Sequence, residues 1–195
     1  MPTFYNLDEL TLPASAHVAR ASWTAIIHAV GPETHEASSA HKLLAWCAER
    51  LEPFCHHMIF VVPHGSALWV RPVLESLMNG PFKLISQREP LGVGNALQLC
   101  QAAVKTPRVI VMEAGPMALN DEAMQACMTF ARQNPDAQLI VPKVVMEEGE
   151  IDCGTSFFKS AALFRGLSEA GASILRGLQG PRQSFHSIID RKSVV

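Results

Sequence analysis

Short apolar runs alternate with helix-like segments along most of the chain, and this alternation constrains the fold more than any other feature. The runs are rich in β-branched residues and have the length of buried strands; they span 23–29, 58–62, 82–86, 108–112 and 137–145, with a shorter sixth at 156–158. Segments with helical periodicity lie between them, at 39–51, 67–78, 91–104 and 121–133. Strands and helices in this order predict a Rossmann-like, three-layer α/β/α fold around a mostly parallel sheet.

Length and charge narrow the class of protein. The 195 residues fit one domain, which we expect over 21–195, with residues 1–20 as an N-terminal extension. The formal net charge is −2 and the sequence has no basic run, so a nucleic-acid partner is disfavoured. No apolar stretch approaches the roughly 18–20 residues of a membrane helix, and the first residues lack the pattern of a signal peptide.

The cysteines indicate a reducing compartment. There are 5 of them, an odd number, and no two form a Cys-x-x-Cys pair. Neither a disulfide framework nor a thiolate zinc site is therefore indicated. Reduced thiols in a cytoplasmic protein are the expected state.

The stretch QREPLGVGNALQLC, residues 87–100, places two glycines directly before a predicted helix. It follows the third apolar run, and ligands of parallel α/β sheets bind at the carboxyl ends of the strands. Gly92 and Gly94 would leave backbone exposed to a flat or anionic group. The alternative is structural, a helix N-terminus with a close contact between strand and helix.

Four stretches together resemble the sugar-1-phosphate nucleotidyltransferases, and most closely the N-acetylglucosamine-1-phosphate uridylyltransferase type. Residues 87–96 match six positions of the family's Q-x-E-x-L-G-T-G-H-A loop without a gap, and Lys42 stands eleven residues after Gly31, as in the family's first loop. VVPHG at 61–65 and IDCGTSFF at 151–158 resemble two further segments. The resemblance covers residues 22–165.

The resemblance implies roles for specific residues. A nucleoside triphosphate and a sugar 1-phosphate would be the substrates, joined by in-line attack on the α-phosphate with a magnesium ion. The implied nucleotide-binding residues are Gly31, Thr34, Gln87, Gly92 and Val93. Lys42 and His35 are implied as catalytic. The Gln87 side chain, with a donor and an acceptor, suits the amide-like edge of a pyrimidine.

The phosphate loop departs from the family pattern at two positions. Glu33 replaces the second glycine and His35 replaces the arginine. A carboxylate facing a triphosphate adds repulsion, and a pair of charges in contact is worth on the order of 4 kcal/mol at an effective dielectric near 20. Neutral His35 would not replace the lost cation, although a protonated ring would do so in part.

The metal-binding positions depart as well. Where the family has an aspartate after the fourth strand, this chain has Ala114, and Glu113 stands one residue early. Asp152 occupies the position of the family's second ligand, an asparagine, and carboxylate oxygen suits Mg²⁺. Because neighbouring strand residues face opposite sides, Glu113 is not an automatic substitute. The expected magnesium site, Asp152 with Glu113, is therefore weak.

Two classes of function remain open. The first is a nucleotidyltransferase with weakened or lost catalysis, since only residues 117–150 separate the metal position from the IDCG stretch and the sugar pocket is reduced. The second is a non-catalytic relative that binds a nucleotide or a protein partner, or forms a homo-oligomer. A glycosyltransferase of related topology is a more distant option, because the chain lacks the Asp-x-Asp motif.

The histidines receive structural interpretations. His56, His57 and His64 lack an accompanying carboxylate and do not predict a metal site. His28 stands where the family has an apolar residue beside the base, and the more common interpretation is a strand-end histidine with its hydrogen bonds satisfied.

Overall fold

The computed structural model describes residues 22–29, 37–88, 92–114, 121–146, 149–152 and 155–174. Its elements follow in chain order: β1 Trp23–His28, α1 Ala37–Leu51, β2 His57–Pro63, α2 Ala67–Leu77, β3 Phe82–Gln87, α3 Gly92–Cys100, β4 Arg108–Glu113, α4 Asp121–Gln133, β5 Leu139–Ile140, β6 Lys143–Met146, β7 Gly149–Asp152, β8 Thr155–Lys159 and α5 Ser160–Ile174. The predicted extension 1–20 lies outside the described residues.

The main sheet has six strands in the order β3-β2-β1-β4-β8-β5. The first four are mutually parallel, β8 is antiparallel to both of its neighbours, and β5 therefore runs with the parallel set. The strands β6 and β7 form a separate antiparallel pair. The prediction of a mostly parallel α/β sheet is confirmed.

Helices cover both faces of the sheet, because β1 alternates its side chains between two apolar cores. Ala25 and Ile27 belong to the first core, with residues of α1, α2 and α4, whereas Ile26 belongs to the second core, with residues of α3 and α5. Ile26 and Ile27 are fully buried. Burying such a side chain contributes about 1.5–3 kcal/mol. The three-layer arrangement follows directly from this alternation.

Four elements differ from the sequence-based expectation. The run predicted as one strand over 137–145 is divided into β5 and β6, with Pro142 between them, because proline has no N–H to donate to a sheet. Strand β7 and helix α5 were not predicted. Helix α1 begins at Ala37, two residues before the predicted start. Lys42 therefore lies in the second turn of this helix.

The helices of the described part of the chain are short. The longest of them, α1 and α5, have 15 residues each. None combines the length and the apolar character that a membrane crossing requires.

Candidate functional site

Four parallel strands end together at the carboxyl edge of the sheet, where ligands bind in folds of this kind. His28, the last residue of β1, pairs in register with Val61 of β2 and Glu113 of β4, and Pro63 of β2 pairs with Gln87 of β3. The predicted residues Gln87 and Glu113 therefore stand on the same edge.

Gln87 is held between a strand and a helix. Its side chain is 4% exposed, and its Nε2 donates a hydrogen bond to Oδ1 of Asn95, 3.2 Å away in α3. Ile85, two residues earlier in β3, packs on the second core, so Gln87 lies on the face of the sheet that α3 covers. The bond fixes the amide at the carboxyl edge.

Both glycines of residues 87–100 lie in the first turn of α3. Gly92 is the first residue of α3, and Gly94 lies two residues further into the same helix. A Cβ built at Gly94 would meet only Leu167 Cδ2 of α5, at an ordinary contact distance of 3.9 Å. Val93 between them is half-buried against the second core. Packing within the described chain therefore does not require glycine at position 94.

His28 is buried with its ring nitrogens unsatisfied. The side chain is 6% exposed, and neither nitrogen makes a hydrogen bond of good geometry with any described residue. Burial lowers the pKa of His28 to about 4, and the nearby Gln87 side chain, which raises it, offsets only part of this effect. Among the described residues, the predicted satisfaction of the His28 hydrogen bonds extends no further than a weak interaction with the Gln87 side chain.

The other histidines do not form a cluster. His57 begins β2 and His64 follows its end, so this seven-residue strand separates them by roughly 20 Å. Nδ1 of His64 and Oγ of Ser86 are 3.1 Å apart in an exposed hydrogen bond at the carboxyl edge. Among the described residues, no three of the types His, Cys, Asp and Glu are grouped so as to hold a metal ion.

The position of the missing aspartate is apolar. Ala114 directly follows β4, is 8% exposed and belongs to the first core, while its N–H donates to the carbonyl of His28 over 2.8 Å. Asp152 ends β7, three residues before Thr155, whose register partner is Met112 of β4. Three residues of chain span at most about 11 Å, so the backbone of Asp152 lies near the carboxyl edge of β4.

The remaining predicted residues are less informative. Lys42 is exposed on α1. Four residues of the first loop lie outside the described residues: Gly31, Glu33, Thr34 and His35. The same holds for residues 89–91, which precede Gly92 in the glycine loop, the segment between Gln87 and Asn95.

Sequence reasoning missed two residues of this edge, His28 as an unsatisfied polar group and Asn95 as the partner of Gln87. The signal for His28 was the appearance of a polar residue where the resembled family has an apolar one. Asn95 carried a weaker signal, since an amide one turn into a predicted helix is usually exposed.

Comparison with known proteins gives the fold. No family model matches the chain, and no curated protein is similar in sequence. Among solved structures, 4-diphosphocytidyl-2C-methyl-D-erythritol synthase from Anaerococcus prevotii is similar over 91% of this chain and 85% of its own, with 10% identity and a TM-score of 0.64. A protein from Bacillus anthracis assigned as a glucose-1-phosphate thymidylyltransferase is similar over 88% and 84%, with 12% identity and a TM-score of 0.54.

A glycosyltransferase has a similar fold as well. The mannosyltransferase PcManGT from Pyrobaculum calidifontis, solved with GDP-Man and Mn²⁺, is similar over 75% of this chain and 47% of its own, with 14% identity and a TM-score of 0.59. The chain therefore has the α/β fold of nucleotide-diphospho-sugar transferases.

Proposed function

We propose that this chain binds a nucleotide at the carboxyl edge of its parallel strands, as a relative of the sugar-1-phosphate nucleotidyltransferases whose catalysis is weakened or lost. The observation that carries the proposal is the partly buried hydrogen bond between Gln87 and Asn95. A buried amide held in one orientation at this edge is suited to reading the edge of a nucleobase. Gly92, at the start of α3, would let the ring approach the backbone.

The phosphate groups would be bound less well than the base. Glu33 and His35 stand where the resembled family has a glycine and an arginine, so one negative charge is added and one permanent positive charge is lost. Transfer of a nucleotidyl group depends on positioning and on neutralising charge. Lys42 and Thr34 would contact the phosphates, and Lys42 is the cation that the proposal retains.

As ligands for magnesium we propose Asp152 and Glu113, which end β7 and β4. Magnesium usually prefers several oxygen ligands in octahedral geometry. Ala114 supplies no such ligand, because it is an apolar residue of the first core. The residues present therefore fit magnesium poorly.

A non-catalytic role is the second candidate, and the buried Ala114 favours it. An aspartate at this position would place a carboxylate against an apolar core, so the chain lacks a group that the resembled chemistry needs. The candidate partners are then a nucleotide alone, another protein or a second copy of the chain. A sugar phosphate is the acceptor only if catalysis is retained.

The test of catalysis is a pyrophosphate-release assay over the common nucleoside triphosphates and sugar 1-phosphates with magnesium. We expect very slow or no release by the parent chain. A variant that combines Glu33→Gly, His35→Arg and Ala114→Asp should gain activity, since each lost counter-charge typically costs about 10²–10³ in rate. Rapid turnover by the parent would overturn the proposal of weakened catalysis, and inactivity of both proteins would favour the non-catalytic role.

A further inference from the structure

His28 has a fixed position and an incomplete set of hydrogen bonds. Its carbonyl accepts from the N–H of Ala114 over 2.8 Å, and the N–H of the following residue, Ala29, donates to the carbonyl of Val61 over 2.9 Å. Both parallel neighbours therefore hold the backbone at this point. Its ring nitrogens are shielded from solvent and, within the described ranges, neither makes a hydrogen bond of good geometry, although the Gln87 side chain lies close enough to interact with the imidazole.

An unsatisfied buried imidazole is costly. Leaving a buried polar group without a partner usually costs about 1–3 kcal/mol, and such groups are rare in native proteins. An apolar side chain would fill the same position between Val61 and the fourth strand without this cost. The presence of histidine is therefore best explained by a partner that arrives with a ligand.

The surroundings of His28 indicate the chemistry of that ligand. Val61, its register partner, packs on the second core, so His28 faces the side of the sheet that α3 covers. Gln87 and Asn95 lie on the same side, and the Gln87 side chain is close enough to affect the imidazole. Three polar side chains from β1, β3 and α3 are thus grouped at the edge where a nucleotide is proposed to bind.

We propose that His28 determines base specificity, by completing its hydrogen bonds with a pyrimidine base that is read jointly with Gln87. This inference rests on the proposed function. A neutral ring offers one N–H donor and one lone pair, and the Gln87 amide offers both kinds of group as well.

A pyrimidine edge suits these two side chains because it alternates donors and acceptors over a short distance. A site built around a buried polar group strongly rejects ligands that leave that group without a hydrogen bond. An apolar site rejects a ligand that carries one additional group much less strongly. With histidine at this position, the base must therefore offer a hydrogen bond as well as fit by shape. An apolar residue would select the base by shape alone.

The test compares base preference in the parent chain and in three variants. Binding of UMP, CMP, AMP and GMP is measured by calorimetry for the parent, His28→Leu, His28→Gln and the control His56→Leu. His56 is exposed and lies at the opposite, amino edge of the sheet, directly before β2. ¹⁵N NMR of the histidine side chains reports the tautomer of His28 with and without the nucleotide.

We expect the parent to prefer a pyrimidine nucleotide, His28→Leu to bind it at least roughly tenfold more weakly with little preference among bases, and His56→Leu to match the parent. His28→Gln, which keeps a donor and an acceptor, should restore part of the preference. The His28 nitrogen signals should shift when the preferred nucleotide is added.

Other results overturn the inference in distinguishable ways. If the parent binds nucleotides and His28→Leu binds them equally well, His28 has no role in recognition while the proposed function stands. A preference for purines that disappears in His28→Leu would overturn the assignment of a pyrimidine. If no nucleotide binds to the parent, the proposed function and this inference fail together.

Discussion

Gln87 and Asn95 are joined by a hydrogen bond of 3.2 Å between Nε2 and Oδ1, which connects the end of β3 to α3 across the glycine loop. The bond holds the amide of Gln87 at the edge of the sheet. The position of that amide is therefore set by the folded chain before any ligand binds.

Removing Asn95 should weaken nucleotide binding through Gln87. In Asn95→Ala the Gln87 amide loses one partner and is held less firmly, so we expect an affinity reduced by roughly three- to tenfold, the value of one hydrogen bond. Gln87→Leu should reduce it further. The control is Gln98→Ala, since Gln98 lies in the same helix and its Nε2 contacts the carbonyl of Leu167, 3.4 Å away. Equal affinities of Asn95→Ala and the parent would show that the bond has no role in binding.

The two glycines should respond differently to substitution. Gly94→Ala should keep nucleotide binding and raise the free energy of unfolding by about 0.5–1 kcal/mol, because alanine favours a helix and the new methyl meets only Leu167. Gly92→Ala should weaken binding, because its methyl would occupy the approach of the base. Calorimetry and urea unfolding of both variants separate the two effects. If Gly94→Ala weakens binding as much as Gly92→Ala does, the base approaches α3 differently from the account given above.

Much of the fold was predictable from the sequence, for a physical reason. Buried parallel strands are continuous apolar runs, and the first four runs were found with their ends within two residues. Strand β7, GEID, was missed because short, acidic segments have low strand propensity. Helix α5 was missed because alanine, serine and glycine blur the periodicity of SAALFRGLSEAGASI.

The site was less predictable, because it depends on contacts between distant elements. The position of Gln87 at a strand end followed from its place after an apolar run, but its bond to Asn95 requires the turn into α3 to have a particular geometry. The incomplete hydrogen bonding of His28 depends on which side chains of β3 and α3 lie on the same face of the sheet. Neither relationship is encoded in local spacing.

His28 should make the protein sensitive to acid. The pKa of His28 is lowered from 6.5 to about 4 in the folded chain, so between these pH values the unfolded chain binds a proton that the folded chain does not. The free energy of unfolding is unaffected by His28 above pH 6.5 and falls as the pH approaches 4, by at most about 3.4 kcal/mol. Urea unfolding between pH 7 and 4.5 should therefore show a shallower decline in His28→Leu than in the parent. The same slope in both proteins would show that another group causes the decline.

Restoring an aspartate at position 114 should have a measurable cost. Ala114 is 8% exposed and lies in the first core, so Ala114→Asp should lower the free energy of unfolding by about 1–3 kcal/mol. Ala114→Asn serves as the uncharged control of the same shape. If Asp152 and Glu113 can hold magnesium with the new carboxylate, magnesium should raise the melting temperature of Ala114→Asp and leave that of Ala114→Asn unchanged. No effect of magnesium on either variant would contradict the assignment of these two ligands.

We propose that this chain retains recognition of the base while its recognition of the phosphates is weakened. Calorimetry that compares a nucleoside monophosphate with its triphosphate is the decisive measurement. UMP and UTP are titrated into the parent chain with and without magnesium, with CMP and CTP as the second pyrimidine pair. We expect the monophosphate to bind at least as tightly as the triphosphate and magnesium to add little, because Glu33 would repel the phosphates and the proposed metal site is incomplete. Tight binding of a triphosphate that depends on magnesium, with weak binding of the monophosphate, would contradict the proposal.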